Sequence, residues 1–283
     1  MNKEIMDKIG LSKYLKDGVI DTPDNCTKMC IDVGLSETAP NSAVWMLNDA
    51  TRCVIGVEPL EYNWEMLNGL HDKDKDFCVG WPATRPNSNG VYLKNEKSVD
   101  ITNKFYGLKC AIDNITSPEE KIFYHMEAEG ASSLLKPSDK HDSKIKKLEK
   151  VQCVNLSSIL DCVDWEKFKV IEHLKVDCEG HDIEVIKSAD KYLDKIIFIT
   201  YEMSQHNNGH WENHYDFDSS VHYMLNKGFV IFRYDGGNIV WFNNRFSQSV
   251  KRCGWKRHSG NTVIPVVLDE NTNNYYYCDV LED

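Results

Sequence analysis

Short apolar runs alternate with amphipathic stretches along most of this chain, and the alternation predicts strands and helices in turn. Met29-Cys-Ile-Asp-Val33 reads as a first strand, with Asn41 to Leu47 opening a helix behind it. Arg52 to Val57 reads as a second strand, followed by a helix over Tyr62 to Leu70, and Tyr106 to Ile112 as a third strand. Ile171 to Val176 is a fourth. Ile183, Ile186, Ala189 and Leu193 then recur at three- and four-residue spacing, the mark of a helix with one buried face. Lys195 to Tyr201 is almost continuously apolar, as in a strand covered on both faces. Near the end, Gly228 to Tyr234 and Ile239 to Phe242 flank Asp235-Gly-Gly-Asn238, a hairpin signal. So tight a connection requires an antiparallel pair.

The intervening segments are less regular. Residues 1–27 read as a short helical lead-in, closed by Asp21-Thr-Pro-Asp-Asn25, and residues 28–283 as a single mixed α/β domain. Val79 to Asn103, rich in turn residues and containing Trp81-Pro82, is long enough to suggest a functional loop. Lys121 to Met126 is expected as an edge strand or hairpin, the charged stretch up to Lys150 as exposed chain, and Val151 to Leu160 as an extended segment.

Composition narrows the class. The chain is 41% hydrophobic and 27% charged, as in ordinary globular proteins. No apolar run approaches the length of a membrane span, and the N-terminus lacks the apolar stretch of a secretory signal. The ten cysteines include no C-x-x-C pair, and several fall in apolar runs, so reduced thiols and a cytoplasmic location are expected. A net charge of −11 opposes binding to phosphate backbones, so nucleic acid is not expected as partner, and without a spanning run neither is a membrane. Two basic clusters depart from that charge: Lys144, Lys146, Lys147 and Lys150, and Lys251, Arg252, Lys256 and Arg257.

The chemistry begins at Asp32-Val-Gly-Leu-Ser-Glu-Thr38. A glycine just past a first strand lets backbone approach a ligand at the sheet edge where α/β folds bind ligands, or else relieves crowding in the turn. Glu58-Pro59 ends the second strand, where an acid can accept hydrogen bonds from both ribose hydroxyls. The G-x-G-x-x-G that seats a pyrophosphate is absent, as is a Walker loop. A ribose ligand without phosphate fits better, and S-adenosylmethionine is the common one. Asp32, Ser36 or Thr38 would hold its amino-acid end; Gly34, Glu58 and, after the third strand, Asp113 complete the expected cofactor-binding set.

A second concentration of acids follows the fourth strand, where Asp177 and Glu179 precede Gly180 and the next helix. With Ile31-Asp-Val-Gly34, Val57-Glu-Pro59, Ala131-Ser-Ser-Leu-Leu135, Leu174-Lys-Val-Asp-Cys-Glu-Gly180, Glu184-Val-Ile-Lys187 and Thr200-Tyr-Glu202, the chain resembles the FkbM-type methyltransferases from about residue 28 to about residue 245. Thr38 departs from the pattern, standing where members carry a second glycine. The resemblance implies a Rossmann-like, doubly wound, seven-stranded and mostly parallel sheet of the class I methyltransferase type. It also implies S-adenosylmethionine as donor and transfer of methyl to oxygen, often a sugar hydroxyl of a glycan or nucleotide-linked sugar.

Such a reaction needs a base for the acceptor hydroxyl. Asp177 is the first candidate for that base or for a metal ligand, and Glu202, ending the neighbouring strand, could share a Mg²⁺ ion with it. In the plainer alternative, Glu179 caps the following helix while Asp177 binds loop amides. His181, His206 and His210 lie near the same edge, with His206 preferred as a catalytic residue; Trp81, Trp211, His214 and Tyr215 are candidates for stacking on a sugar. A protein, lipid or metabolite acceptor, or a non-catalytic module retaining the fold, are the alternatives.

Overall fold

A computed structural model describes residues 1–37, 39–65, 67, 103–128, 130–203, 209–213, 216–234, 237–257, 263–269 and 274–277. The chain opens with α1 (Lys3–Lys8) and a small ribbon of β1 (Leu15–Lys16) and β2 (Val19–Ile20). Then come β3 (Lys28–Val33), α2 (Pro40–Asn48), β4 (Arg52–Val57), β5 (Phe105–Leu108) and β6 (Ala111–Ile112). They are followed by β7 (Glu119–Met126), β8 (Ile145–Val154), α3 (Leu156–Leu160), β9 (Ile171–Val176), α4 (Asp182–Lys187) and β10 (Ile196–Glu202). The last elements are α5 (Phe217–Asn226), β11 (Phe229–Tyr234), β12 (Asn238–Asn243), β13 (Val250–Arg257), β14 (Val263–Asp269) and β15 (Asn274–Tyr277).

Seven strands form the main sheet in the order β11-β12-β10-β9-β3-β4-β5. The pairs from β10 to β5 are parallel, while β12 runs antiparallel to both β10 and β11. Chain order reverses between β3 and β9, the crevice where open α/β sheets place ligands. β13, β14 and β15 form a separate antiparallel sheet that the sequence did not suggest. Among the described residues no helix is long and apolar enough to cross a membrane.

The lead-in is part of the main core. Ile9, Leu11 and Ile20 are buried in the same apolar cluster as Ile31, Ile55, Leu174 and Ile199. On the other face of the sheet, Arg52 and Glu172 form a fully buried pair, with Nε 2.6 Å from Oε2 and Nη2 2.8 Å from Oε1. The seven cysteines with described side chains are free.

Two expectations are corrected. The third strand, Tyr106 to Ile112, divides at Lys109–Cys110: β5 stays in the main sheet, while β6 joins β8 and β7 in a second, three-stranded sheet. The charged stretch before Lys150 is exposed, as expected, and is ordered as the first half of β8, paired with β7. Residues 156–160, expected as extended, form α3, because the Asn155 side chain accepts from Ser158 N at 2.9 Å and Leu156, Ile159 and Leu160 share a buried face. The Val79 to Asn103 loop lies outside the described residues.

Candidate active site

Strand register brings the expected residues to one edge. Val33 is level with Val57 on one side and Val176 on the other, and Val176 is level with Tyr201. The residues that follow these flush ends, Gly34, Glu58, Asp177 and Glu202, therefore leave the sheet together. A cavity of about 1030 Å³, counted to its open mouth, lies over this edge. Gly34, Ser36, Glu58, Asp177 and His181 all line it. Pro59, Leu60, Ala111, Ile112 and Phe123 give it an apolar flank.

Gly34 answers to the protein's own backbone. Its φ of +83° is left-handed, and a Cβ there would collide with the carbonyl oxygen of Asp177. Asp177 N donates to Val33 O at 3.0 Å and Gly34 N to Val57 O at 3.0 Å, so the turn is clamped between both neighbouring strands. Gly34→Ala is expected to cost at least about 2 kcal/mol of stability, measured as a lower urea midpoint.

The carboxylates fall into distinct settings. Glu58 is buried at 3% exposure and accepts from Leu60 N at 2.9 Å. Burial pushes its carboxyl up to about 7, against the opposing pull of the Leu60 amide, Asn63, the Ser36 amide and Lys175. Asp32 does not line the cavity. Wholly buried, it accepts from Ser42 N at 3.1 Å and Ser42 Oγ at 2.7 Å, anchoring the first turn of α2. Asp113 is likewise engaged inside the protein, with Oδ1 2.8 Å from His181 Nε2 and Oδ2 2.5 Å from Lys121 Nζ. Burial would raise its carboxyl, but His181 and Lys121 outweigh burial and hold it far below the usual range. It is His181, its partner, that reaches the cavity. Thr38 lies outside the described residues.

Past Asp177 the site becomes strongly acidic. Oxygens of Asp177, Glu179 and Glu202 lie within 4.8 Å of one another, a set of hard donors of the kind Mg²⁺ takes. Burial first, then the Glu202 and Asp177 charges, pushes Glu179 to about 8; burial, then the Asp177 charge, pushes Glu202 to about 7. Glu179 does not cap the helix, whose N-cap position, His181, carries no side-chain cap; Asp182 instead ties the preceding loop, its oxygens accepting from Cys178 N and Gly180 N, each at 3.1 Å. Ser133 ties down the same loop, donating to Glu179 O at 2.9 Å or Cys178 O at 3.2 Å.

Lys175 is the residue that sequence reasoning missed. Its ammonium donates to Gly34 O at 2.8 Å and lies 3.5 Å from Asp32 Oδ1 and 3.4 Å from Asp177 Oδ2. Burial would lower its pKa, but Asp177 and Asp32 hold it above the ordinary lysine value. A charged residue inside the apolar strand Ile171 to Val176, two positions before Asp177, was the available signal.

Residues 32–231 match the methyltransferase FkbM domain. The chain belongs to that family. A crystal structure of methyltransferase FkbM from Methylobacillus flagellatus KT is similar at 14% identity and a TM-score of 0.41, over 81% of this chain and 46% of that one. The chain thus spans less than half the length of that protein. No curated protein matches.

In this FkbM domain Trp211 is buried at 7% exposure with its ring edge-on to His141, so it packs inside the protein and offers no face to a sugar. His210 is half-buried beside the same His141 ring, 5.6 Å between centroids. His206, His214, Tyr215 and Trp81 lie outside the described residues.

Proposed function

We propose that this protein is an S-adenosylmethionine-dependent O-methyltransferase acting on a sugar hydroxyl. The observation that carries the reading is one cavity running from Glu58, across Gly34 and Ser36, to Asp177. Glu58 is placed to accept from ribose hydroxyls, and the flank of Leu60, Ala111, Ile112 and Phe123 suits a purine ring. The acids at the far end suit a positive sulfonium better than a phosphate. The bound donor supplies an electrophilic methyl carbon.

The chain's own groups then do the rest. Asp177, 44% exposed at the cavity, takes the acceptor hydroxyl's proton, while Lys175 holds its carboxylate in place. Ser133 and Asp182 fix the loop that follows Asp177, at Glu179 O and Cys178 N. Mg²⁺ on Asp177, Glu179 and Glu202 would add Lewis acidity, but the base step does not depend on it. Incubation with methyl-labelled donor and a panel of sugars and glycans tests the reading; label is expected as an O-methyl ether. Label only on nitrogen, carbon or protein would sink the sugar assignment.

The Glu58 setting adds a pH dependence. Its carboxyl is neutral below about 7 in the free protein, whereas ribose hydroxyls require the ionised acceptor. Donor affinity should therefore fall as pH drops through about 7 and level off above it. Equilibrium dialysis between about pH 6 and about pH 8 should show this slope, flattened in Glu58→Gln.

A further inference from the structure

The lysine cluster of β8 plays no part in the proposed reaction, yet its setting is unusual. Ile145, Lys146, Lys147 and Leu148 are exposed in succession, so both faces of this half-strand meet solvent. β6 meets β8 only at Cys153 and Val154, and among the described residues no strand pairs with that edge of β8 over its first half. On one face of the ribbon, register places Ile122 opposite Lys150 and Tyr124 opposite Leu148. Ile122 is 40% exposed, Ile145 44% and Leu148 55%.

Between Lys144 and Lys150 four lysines stand against Glu149 alone, while Glu127 and Asp142 are exposed beside the segment. Glu149 Oε1 lies 3.0 Å from His125 Nδ1 and 3.6 Å from Lys147, Glu120 is bound by Lys8, and Glu119 lies 3.2 Å from Lys121. The patch is thus basic and aliphatic in a chain of net charge −11.

We propose that the open half of the β7–β8 ribbon docks the protein on an anionic lipid bilayer. Aliphatic side chains set among lysines suit the boundary between acyl chains and acidic headgroups. Lysine stems can lie along apolar surface while their ammonium groups reach the phosphates. A nucleic-acid surface would instead track phosphates along a groove with stacking aromatics, and this half-strand is open on both faces. Lys146 and Tyr62 connect the patch to the cavity: both line its mouth, with Nζ 5.2 Å from the ring centroid. Docking here would hold the cavity mouth beside the lipid surface. That no described helix is long and apolar enough to cross a membrane bears only on crossing one, not on resting against one.

The test is co-sedimentation of the full chain with vesicles of phosphatidylcholine, alone or with about a third phosphatidylglycerol. Binding is expected only with the anionic vesicles, weakening with salt and by about fivefold for each of Lys144→Gln and Lys150→Gln, and less for Lys147→Gln, which register places on the other face opposite His125. Ile145→Ser with Leu148→Ser should weaken binding without changing its salt dependence. Unchanged melting temperatures would show that these surface variants are folded. The proposal is overturned by no binding to anionic vesicles, by equal binding to neutral ones, or by variants that bind like the parent. Retention by RNA or polyglutamate in place of vesicles would also overturn it, reassigning the patch to nucleic acid or to an acidic protein.

Discussion

Asp177→Asn is expected to lower methyl transfer by about 10²–10⁴-fold while changing donor affinity by less than about tenfold. The amide keeps the shape of the carboxylate, so the Gly34 turn and its contact with the Asp177 backbone survive. What it loses is basicity and the attraction to Lys175, 3.4 Å away. Lys175 keeps Gly34 O and Asp32, so its charge is not abandoned. Turnover at saturating acceptor, with labelled donor, is the measurement. Activity within about threefold of the parent would remove Asp177 from proton transfer.

The second large effect concerns the scaffold. Glu172→Ala is expected to destabilise the protein by about 3–5 kcal/mol, because it leaves the Arg52 guanidinium buried without its carboxylate. At about 2–4 °C per kcal/mol, the melting temperature should fall by roughly 6–20 °C. Its bond to Trp45 O, at 3.3 Å, brings no charge to replace the lost carboxylate. Arg52→Met combined with Glu172→Leu should recover most of the loss, since no charge is then buried. A double variant no more stable than Glu172→Ala would show that the pair contributes through shape and not through charge.

The sequence was readable where a buried parallel strand demands an unbroken apolar run. β4 and β9 have the bounds their residues suggest, and the flush ends of the strands follow from that. The break between β5 and β6 was not readable, because both halves are apolar and periodicity does not say which sheet an apolar strand joins. β8 was hidden for the opposite reason: its first half has exposed lysines where a buried face was sought. At the site, the positions of Gly34, Glu58 and Asp177 were legible, but the partners were not. Asp32 and Asp113 look like ligand-binding acids in the sequence, and only the fold reveals that Ser42, His181 and Lys121 already engage them. The choice of Asp182 over Glu179 as the loop's anchor depends on the left-handed backbone at Glu179, φ +51°, which no propensity announces.

Titration calorimetry of S-adenosylmethionine into the intact protein at neutral pH, alongside Glu58→Ala, tests the account most directly. One site per chain is expected, with affinity lost by at least about tenfold in the variant, which forfeits the ribose acceptor. Absence of heat at millimolar donor, or equal affinity in parent and variant, would contradict it.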